Sequence, residues 1–419
     1  MPGDEPHKFP SKLLAYLALS RDGWLLFATC GVRSFAYGFL SVMLGLYLDA
    51  IGLDKTAIGW IFTAALAGGA GMTVVLTAVA DSFGRRTLLI LGAVLMALAG
   101  LAFAATNNPI LLAVAAIFGT ISPSGKEVGP FLSIEQAILP QTTHGQNRTA
   151  AFSAYNLVGS LCGAVGALAV GMPSFFSLAP LAGYRLLIWA YVVSAVLMLI
   201  LFALLSPAIE AEKKSAVDFR KIGVQRSRGI VAKLSALFAL DAFAGGFIVQ
   251  SLVAYWFYLR YKTDINALGG IFFGANLFSA LSFLAAPLIA RRIGLLNTMV
   301  FTHLPSNFLL LLVPLMPNVE LTVVVLLARH LLSQLDVPTR QSYTMAVVDP
   351  SERAASAGIM SVARNIGAAI APLFTGTVLA APSLGLPFLL AGGLKIIYDL
   401  WIFALFRKVR PPEEESRTL

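Results

Sequence analysis

The polypeptide is laid out as a succession of apolar runs of about 20 residues, divided by short charged turns. Stretches such as 88–103, 186–205 and 308–316 are too apolar and too continuous for ordinary core helices. Apolar residues make up 58% of the 419 and charged residues only 12%, where a soluble chain carries about a quarter charged. Lipid is therefore the main solvent, and runs of this length dictate an all-α membrane protein. The pattern predicts twelve transmembrane helices, at 23–48, 56–80, 86–105, 109–138, 149–172, 185–206, 231–258, 267–290, 298–317, 320–346, 354–380 and 386–406.

The distribution of Lys and Arg sets the expected orientation. With both termini cytoplasmic, inner segments hold twenty of them, while the outer loops hold four: Lys55, Arg185, Arg260 and Lys262. The formal charge of +9 is then a topology signal and an attraction to anionic lipids, with no nucleic-acid footprint. Residues 1–21 lack the apolar run of a signal peptide, and 11–20 suits a short interfacial helix. Cys30 and Cys162 fall inside spans and read as small apolar residues. The four His show no metal-ligand spacing. No nucleophile–base pair or phosphate-binding glycine loop is present, so neither an enzyme nor a cofactor is expected.

A second constraint is internal repetition. The turn Asp81-Ser82-Phe83-Gly84-Arg85-Arg86 returns as a worn copy around Gly294, and residues 33–39 align with 241–247. Ala57-Ile58-Gly59 aligns with Ala267-Leu268-Gly269, and Arg148 with Arg353. The one long polar stretch lies at the midpoint. The expected layout is an N-terminal segment 1–22, a six-helix bundle 23–206, a cytoplasmic linker 207–229, a second six-helix bundle 230–406 and a tail 407–419. Two copies of one half are the mark of a transporter built from repeats.

These residues resemble the major facilitator superfamily over nearly the whole chain. Its loop between spans two and three reads Gly-x-x-x-Asp-Arg/Lys-x-Gly-Arg-Arg/Lys. Asp81, Gly84, Arg85 and Arg86 match it, while Thr77 replaces the first glycine and Ser82 the first basic residue. The resemblance implies two pseudo-symmetric six-helix bundles, rocking around a central site, with this loop as a conformational latch that contacts the second half. The loss at Ser82 implies a weaker latch. The family's antiporter pattern in span five is half present: Gly159 and Gly163 stand, but Ala164 replaces proline. Gly159, Gly163, Ala167 and Gly171 equally suit close helix packing. A monomer in a bacterial inner membrane, working on a small molecule among membrane lipids, is the corresponding expectation.

Ionisable residues inside the spans carry the chemistry. The bases are Arg33, Lys126, Arg329, Arg340, Arg364 and Lys395, and the acids Glu127, Glu135, Asp241, Asp336 and Asp399. Each costs roughly 2.5–3.5 kcal/mol near a helix centre on the insertion scale, so most must face water or one another. Spans one, four, seven and ten line the cavity in the family. The candidate substrate or coupling residues are Arg33, Lys126, Glu127, Asp241, Arg329, Asp336, Arg340 and Arg364. By depth, Arg33, Arg329 and Arg364 fall near mid-membrane and Glu135 near the cytoplasmic boundary. Two prolines and two glycines within 122–130 predict a broken span four. Tyr155, Asn156, Tyr255, Trp256, Asn276 and Gln334 are candidate lining residues.

Several readings stay open at this level. Arg33 and Asp241, equivalent in the repeats, form a gate pair or else pair each within its own half. Lys395 and Asp399, one turn apart, are expected to neutralise each other. Asp241, Glu127, Asp336, His303 and His330 are candidates for proton coupling. The chain reads as a secondary transporter of a small organic solute, including proton-coupled efflux. Alternatives are an organic-anion transporter using the Arg/Lys cluster, and a non-transporting receptor or scaffold.

Overall fold

The computed structural model describes residues 19–126, 129–143, 148–210, 224–349, 352–380 and 385–409. Among them there are helices and no strand. Spans one to three are Arg21–Ala50, Lys55–Phe83 and Arg85–Ala105. Span four is Pro109–Phe118 and Phe131–Ile138, with 119–126 and 129–130 non-helical between them, followed by five, Arg148–Ala169, and six, Pro180–Ala203. Span seven is Arg228–Gly246 and Gln250–Tyr261, eight is Ile265–Ile293 and nine Leu295–Leu312. Span ten is Val319–Ser333 and Asp336–Val347, eleven Arg353–Ala380 and twelve Leu386–Phe406. Eleven of these are long and apolar enough to cross a membrane, and the twelfth crossing is the broken span four.

The repeat is visible in how helices start and stop. Asp54 accepts from the N–H of Ala57, and Asp264, 210 residues later, from those of Asn266 and Ala267. Asn108 caps span four and Asn318, again 210 later, caps span ten. Spans two and eight are each 29 residues and end on Gly84 and Gly294, at φ +94° and +85°. Only glycine adopts that conformation cheaply, so each turn is set by one residue. Packing follows the same symmetry: spans one with five and six, two with four, and three with six are matched by seven with eleven and twelve, eight with ten, and nine with twelve. The molecule is thus two pseudo-symmetric six-helix bundles.

Among the described residues, three spans are interrupted. In span four the predicted break is present, with Thr120, Gly125 and Gly129 at φ +52°, +67° and +100°. In span ten the break precedes Pro338, whose ring nitrogen cannot donate to a carbonyl one turn back. Span seven, expected as continuous, breaks at Phe247 to Val249, after Gly245-Gly246.

The bundles meet along spans two and eleven, five and eight, and one and seven. The face carrying the two glycine turns is rich in Lys and Arg and is called the basic face below. Toward the opposite face the bundles are joined. The Ser251 N–H donates to the Pro123 carbonyl at 2.9 Å, linking the breaks of spans seven and four. Ser251 Oγ donates to the Ser41 carbonyl at 2.7 Å, Gln250 Nε2 to Ser41 Oγ at 2.9 Å, and Tyr255 Oη to Asp49 at 2.7 Å.

Candidate functional site

In the first bundle, Arg33 and Glu135 are both fully buried and make a two-pronged pair, 3.0 Å from Nη1 to Oε1 and 2.6 Å from Nη2 to Oε2. Thr29 donates to Glu135 Oε1 at 2.8 Å, and the Tyr155 hydroxyl makes a short bond to Oε2. The guanidinium lies over the Phe131 ring, 5.0 Å from its centroid. Every oxygen of this carboxylate is engaged, which is what makes a buried ion pair tolerable. Glu135, expected near the membrane boundary, meets Arg33 from mid-span. The Ser20 N–H on the Thr142 carbonyl sets the start of span one level with the end of span four, and the long arginine side chain covers the remaining depth.

In the second bundle Asp241 is the hub. Its Oδ1 lies 2.5 Å from Lys395 Nζ, and its Oδ2 is 3.3 Å from both Arg340 and Arg364. Arg340 also binds Asp336 at 3.0 Å, one turn away on span ten. Arg33 and Asp241 therefore pair each within its own half, and the gate pair across the pseudo-two-fold axis is not formed. Lys395 and Asp399 do not neutralise each other either: Lys395 is held by Asp241, and Asp399 by His303 at 2.8 Å and Asn307 at 2.8 Å. Spacing of one turn brought them near, but partners on spans seven and nine offer better geometry.

Between the bundles stand three cations with looser partnerships. Lys126, in the break of span four, reaches Gln334 of span ten at 3.4 Å and is exposed. Among the charges acting on it, Asp336 attracts it, while Arg329, Arg364 and Lys395 act as like charges. Arg364 keeps a third of its side chain exposed while bonded to Asp241. Arg329 is half-buried, and its Nε has no hydrogen-bond partner among the described residues; Nη1 stands 3.5 Å from His330 Nε2. An unsatisfied guanidinium edge inside a membrane is costly and suits a site that receives an acceptor from outside. Glu127 lies outside the described residues. His330 also bonds Ser279 at 3.0 Å. Asn307 was not singled out by sequence reasoning, nor were the partners of Glu135 and Lys395; Arg33, Asp399 and Asp241 lie 90 or more residues from Glu135, Asn307 and Lys395 along the chain.

On the basic face, Gly84 turns the chain so that Glu210 accepts from the N–H groups of Arg85 at 2.6 Å and Arg86 at 3.1 Å. Arg85 and Arg86 side chains donate to the carbonyls of Ile209 and Ala203. The loop is thus bound to the end of span six, within the first half; the Asp81 side chain lies outside the described residues. The second half has its own clasp. Glu352 accepts from the N–H groups of Gln225 (2.7 Å), Arg226 (2.9 Å) and Ser227 (2.9 Å). These three donors, led by those of Arg226 and Gln225, hold its carboxyl below the usual range.

The sequence pattern of the Major Facilitator Superfamily matches residues 26–333 and, overlapping, 306–418. The chain belongs to the major facilitator superfamily. As a member of that superfamily it is a membrane transporter and not an enzyme. An uncharacterized membrane protein of Saccharomyces cerevisiae, YJR124C, is 28% identical over 434 residues, covering 95% of this chain and 96% of the relative. The crystal structure of the nucleoside transporter NupG superposes with a TM-score of 0.73 at 16% identity, over 92% of this chain and 99% of that one. The D-xylose-proton symporter gives 0.70 at 15%, over 91% and 97%. Likeness at such identity shows the shared superfamily fold, and the two cargoes named differ from each other.

Proposed function

We propose that the protein carries a small organic anion across the membrane by alternating access, with protons as the coupling ion. One observation carries this reading. Arg33–Glu135 closes on itself, and Asp399 is held by His303 and Asn307. Away from the span ends, the remaining described charges are five cations, Lys126, Arg329, Arg340, Arg364 and Lys395, against three carboxylates, Asp241, Asp336 and Asp399. The surplus stays positive even with Glu127 counted as an anion. Guanidinium groups bind carboxylate or phosphate with paired, charge-assisted bonds. Proton exchange of lipophilic cations has less support, because Asp241 and Asp336 are already engaged by basic side chains.

The joined opposite face, together with the solvent contact of Lys126, Arg329 and Arg364, supports a cavity open toward the basic face. The excess of Lys and Arg supports that face, and both termini, as cytoplasmic. The yeast relative gives no particular support to a bacterial inner membrane. One chain holds both bundles, which supports transport by the monomer.

Thermal unfolding of the purified protein against mono- and dicarboxylates, organic phosphates and sulfates tests the reading, with lipophilic cations and neutral sugars as controls. A ligand at about 100 times its dissociation constant adds roughly 2.7 kcal/mol. Anions are expected to stabilise the wild type and to lose that effect in Arg329→Ala and Lys126→Ala. Stabilisation by cations or neutral compounds alone overturns it.

A further inference from the structure

Behind the cationic cluster lies a buried group that the anion site does not use. His303 on span nine, and Asp399 on span twelve, are 5% and 1% exposed, and Asn307, one turn from His303, is fully buried. His303 Nδ1 is 2.8 Å from Asp399 Oδ1, and Asn307 Nδ2 is 2.8 Å from Oδ2 and 3.2 Å from the same ring nitrogen. The Asn307 Oδ1 is buried and has no donor among the described residues. Two carboxylate oxygens and an imidazole thus share the donors of one amide, and rotating that amide would set its oxygen beside Asp399 Oδ2, where a protonated carboxyl would donate to it. Buried acceptors are normally satisfied. This cluster is short of hydrogen, and a proton would complete it.

We propose that His303, Asp399 and Asn307 form the proton-binding site of the transporter, linked to the anion site through Lys395 and Asp241. The inference rests on the anion reading for its second partner only. The connection is short. Lys395 is one turn from Asp399 on span twelve, and its ammonium lies on Asp241, which also holds Arg340 and Arg364. Asp399 is therefore the second anion within the neighbourhood of Lys395. A proton taken up by the His303–Asp399 pair removes one negative charge from that neighbourhood. The potential at Arg329, Arg364 and Lys126 becomes more positive, and an anion binds more tightly. By linkage the bound anion strengthens proton binding by the same factor. Proton and anion then travel together, which is symport.

The charges that face the pair come from several elements. Span seven supplies Asp241, which acts on both members of the pair, and span twelve Tyr398, edge-on to His303; Lys395 of span twelve and Arg364 of span eleven act on Asp241. Span ten, packed on span nine, brings Arg340 and Asp336 to Tyr398, and the carbonyl of Arg329 accepts from Ser306. Span eight brings Arg291 and Arg292 only at its basic-face end. Positive and negative groups are mixed, so the pair can change charge without stranding an isolated ion.

The test is histidine NMR on the full-length protein in lipid nanodiscs, with His303→Gln identifying one signal among the four His. The expected result is a His303 signal that changes protonation state once as pH is scanned across the window in which the folded protein is stable. Its midpoint moves when Asp241→Asn removes the neighbouring charge, and moves again with saturating succinate. The succinate dissociation constant, read by fluorescence, rises by up to about tenfold per pH unit above that midpoint in the wild type and is flat in His303→Gln. A signal that keeps one protonation state across the window overturns the proposal. So does a titration left unmoved by Asp241→Asn, and by Lys395→Met should the first variant not fold. If succinate and every other anion fail to stabilise the protein, the anion reading falls alone, and these two variants still decide the proton site.

Discussion

Arg33 and Asp241 stand at equivalent places in the two repeats and meet opposite ends. Arg33 is locked into a saturated pair with Glu135, while Asp241 is shared among three cations that are themselves partly exposed or doubly bonded. Breaking the first should be expensive and the second should change function. Glu135→Gln is expected to destabilise the protein by about 3–5 kcal/mol, because it leaves a buried arginine uncompensated. Urea or thermal unfolding reads this, and Arg33→Met combined with Glu135→Leu should recover most of the loss. Which residues would be charged inside the membrane was legible in the sequence, since apolar runs make every ionisable residue conspicuous. Who pairs with whom was not. The Lys395–Asp399 expectation failed because spacing fixes only neighbours on one helix, whereas Asp241, His303 and Asn307 arrive from other spans.

At the scale of the helix, the sequence announces some features by residue type and hides others in context. Prolines and glycines marked the break in span four, but the break in span seven follows a Gly-Gly pair that in most helices would merely weaken packing. Span five shows the complementary case. A Cβ on Gly38 would stand 2.2 Å from the Gly163 carbonyl oxygen, and one on Gly166 would stand 2.1 Å from that of Phe35. Spans one and five therefore touch backbone to backbone, as the small-residue spacing suggested. Gly166→Val should force them apart at a cost of about 1–3 kcal/mol or more, measured as a lowered melting temperature with transport reduced in step. The Glu352 clasp is an element-end prediction. Its folded pKa lies below the ordinary value of 4.5, so its contribution to stability is present above pH 4.5 and disappears as pH falls through the folded value. Trypsin cleavage at the exposed Arg226 should accelerate in Glu352→Gln at neutral pH relative to the wild type; equal rates in both would refute the clasp.

For the molecule as a whole, the two-bundle plan was readable from the repeat, because the same Asp, Asn and Gly residues start and stop corresponding helices in both halves. The way the halves lean on each other was not, since the contacts between Ser41, Asp49, Ser251 and Tyr255 involve residues ordinary for any span. They lead to a direct test of rocking. A Cβ on Gly45 would stand 3.0 Å from the Tyr255 Cβ, close to disulfide range. With Cys30 and Cys162 replaced by Ser, Gly45→Cys with Tyr255→Cys should abolish transport when oxidised and restore it on reduction. Undiminished transport by the cross-linked protein would mean that this face never opens. The surplus of positive charge between the halves has an electrical consequence. A dianionic cargo travelling with its proton lowers it by one charge, so the loaded carrier turns over less charged than the empty one. A membrane potential does work of about 2.3 kcal/mol per elementary charge per 100 mV, and here it would act chiefly on the empty return. Net flux should then follow voltage, while one-for-one exchange, which never sends the carrier back empty, should ignore it.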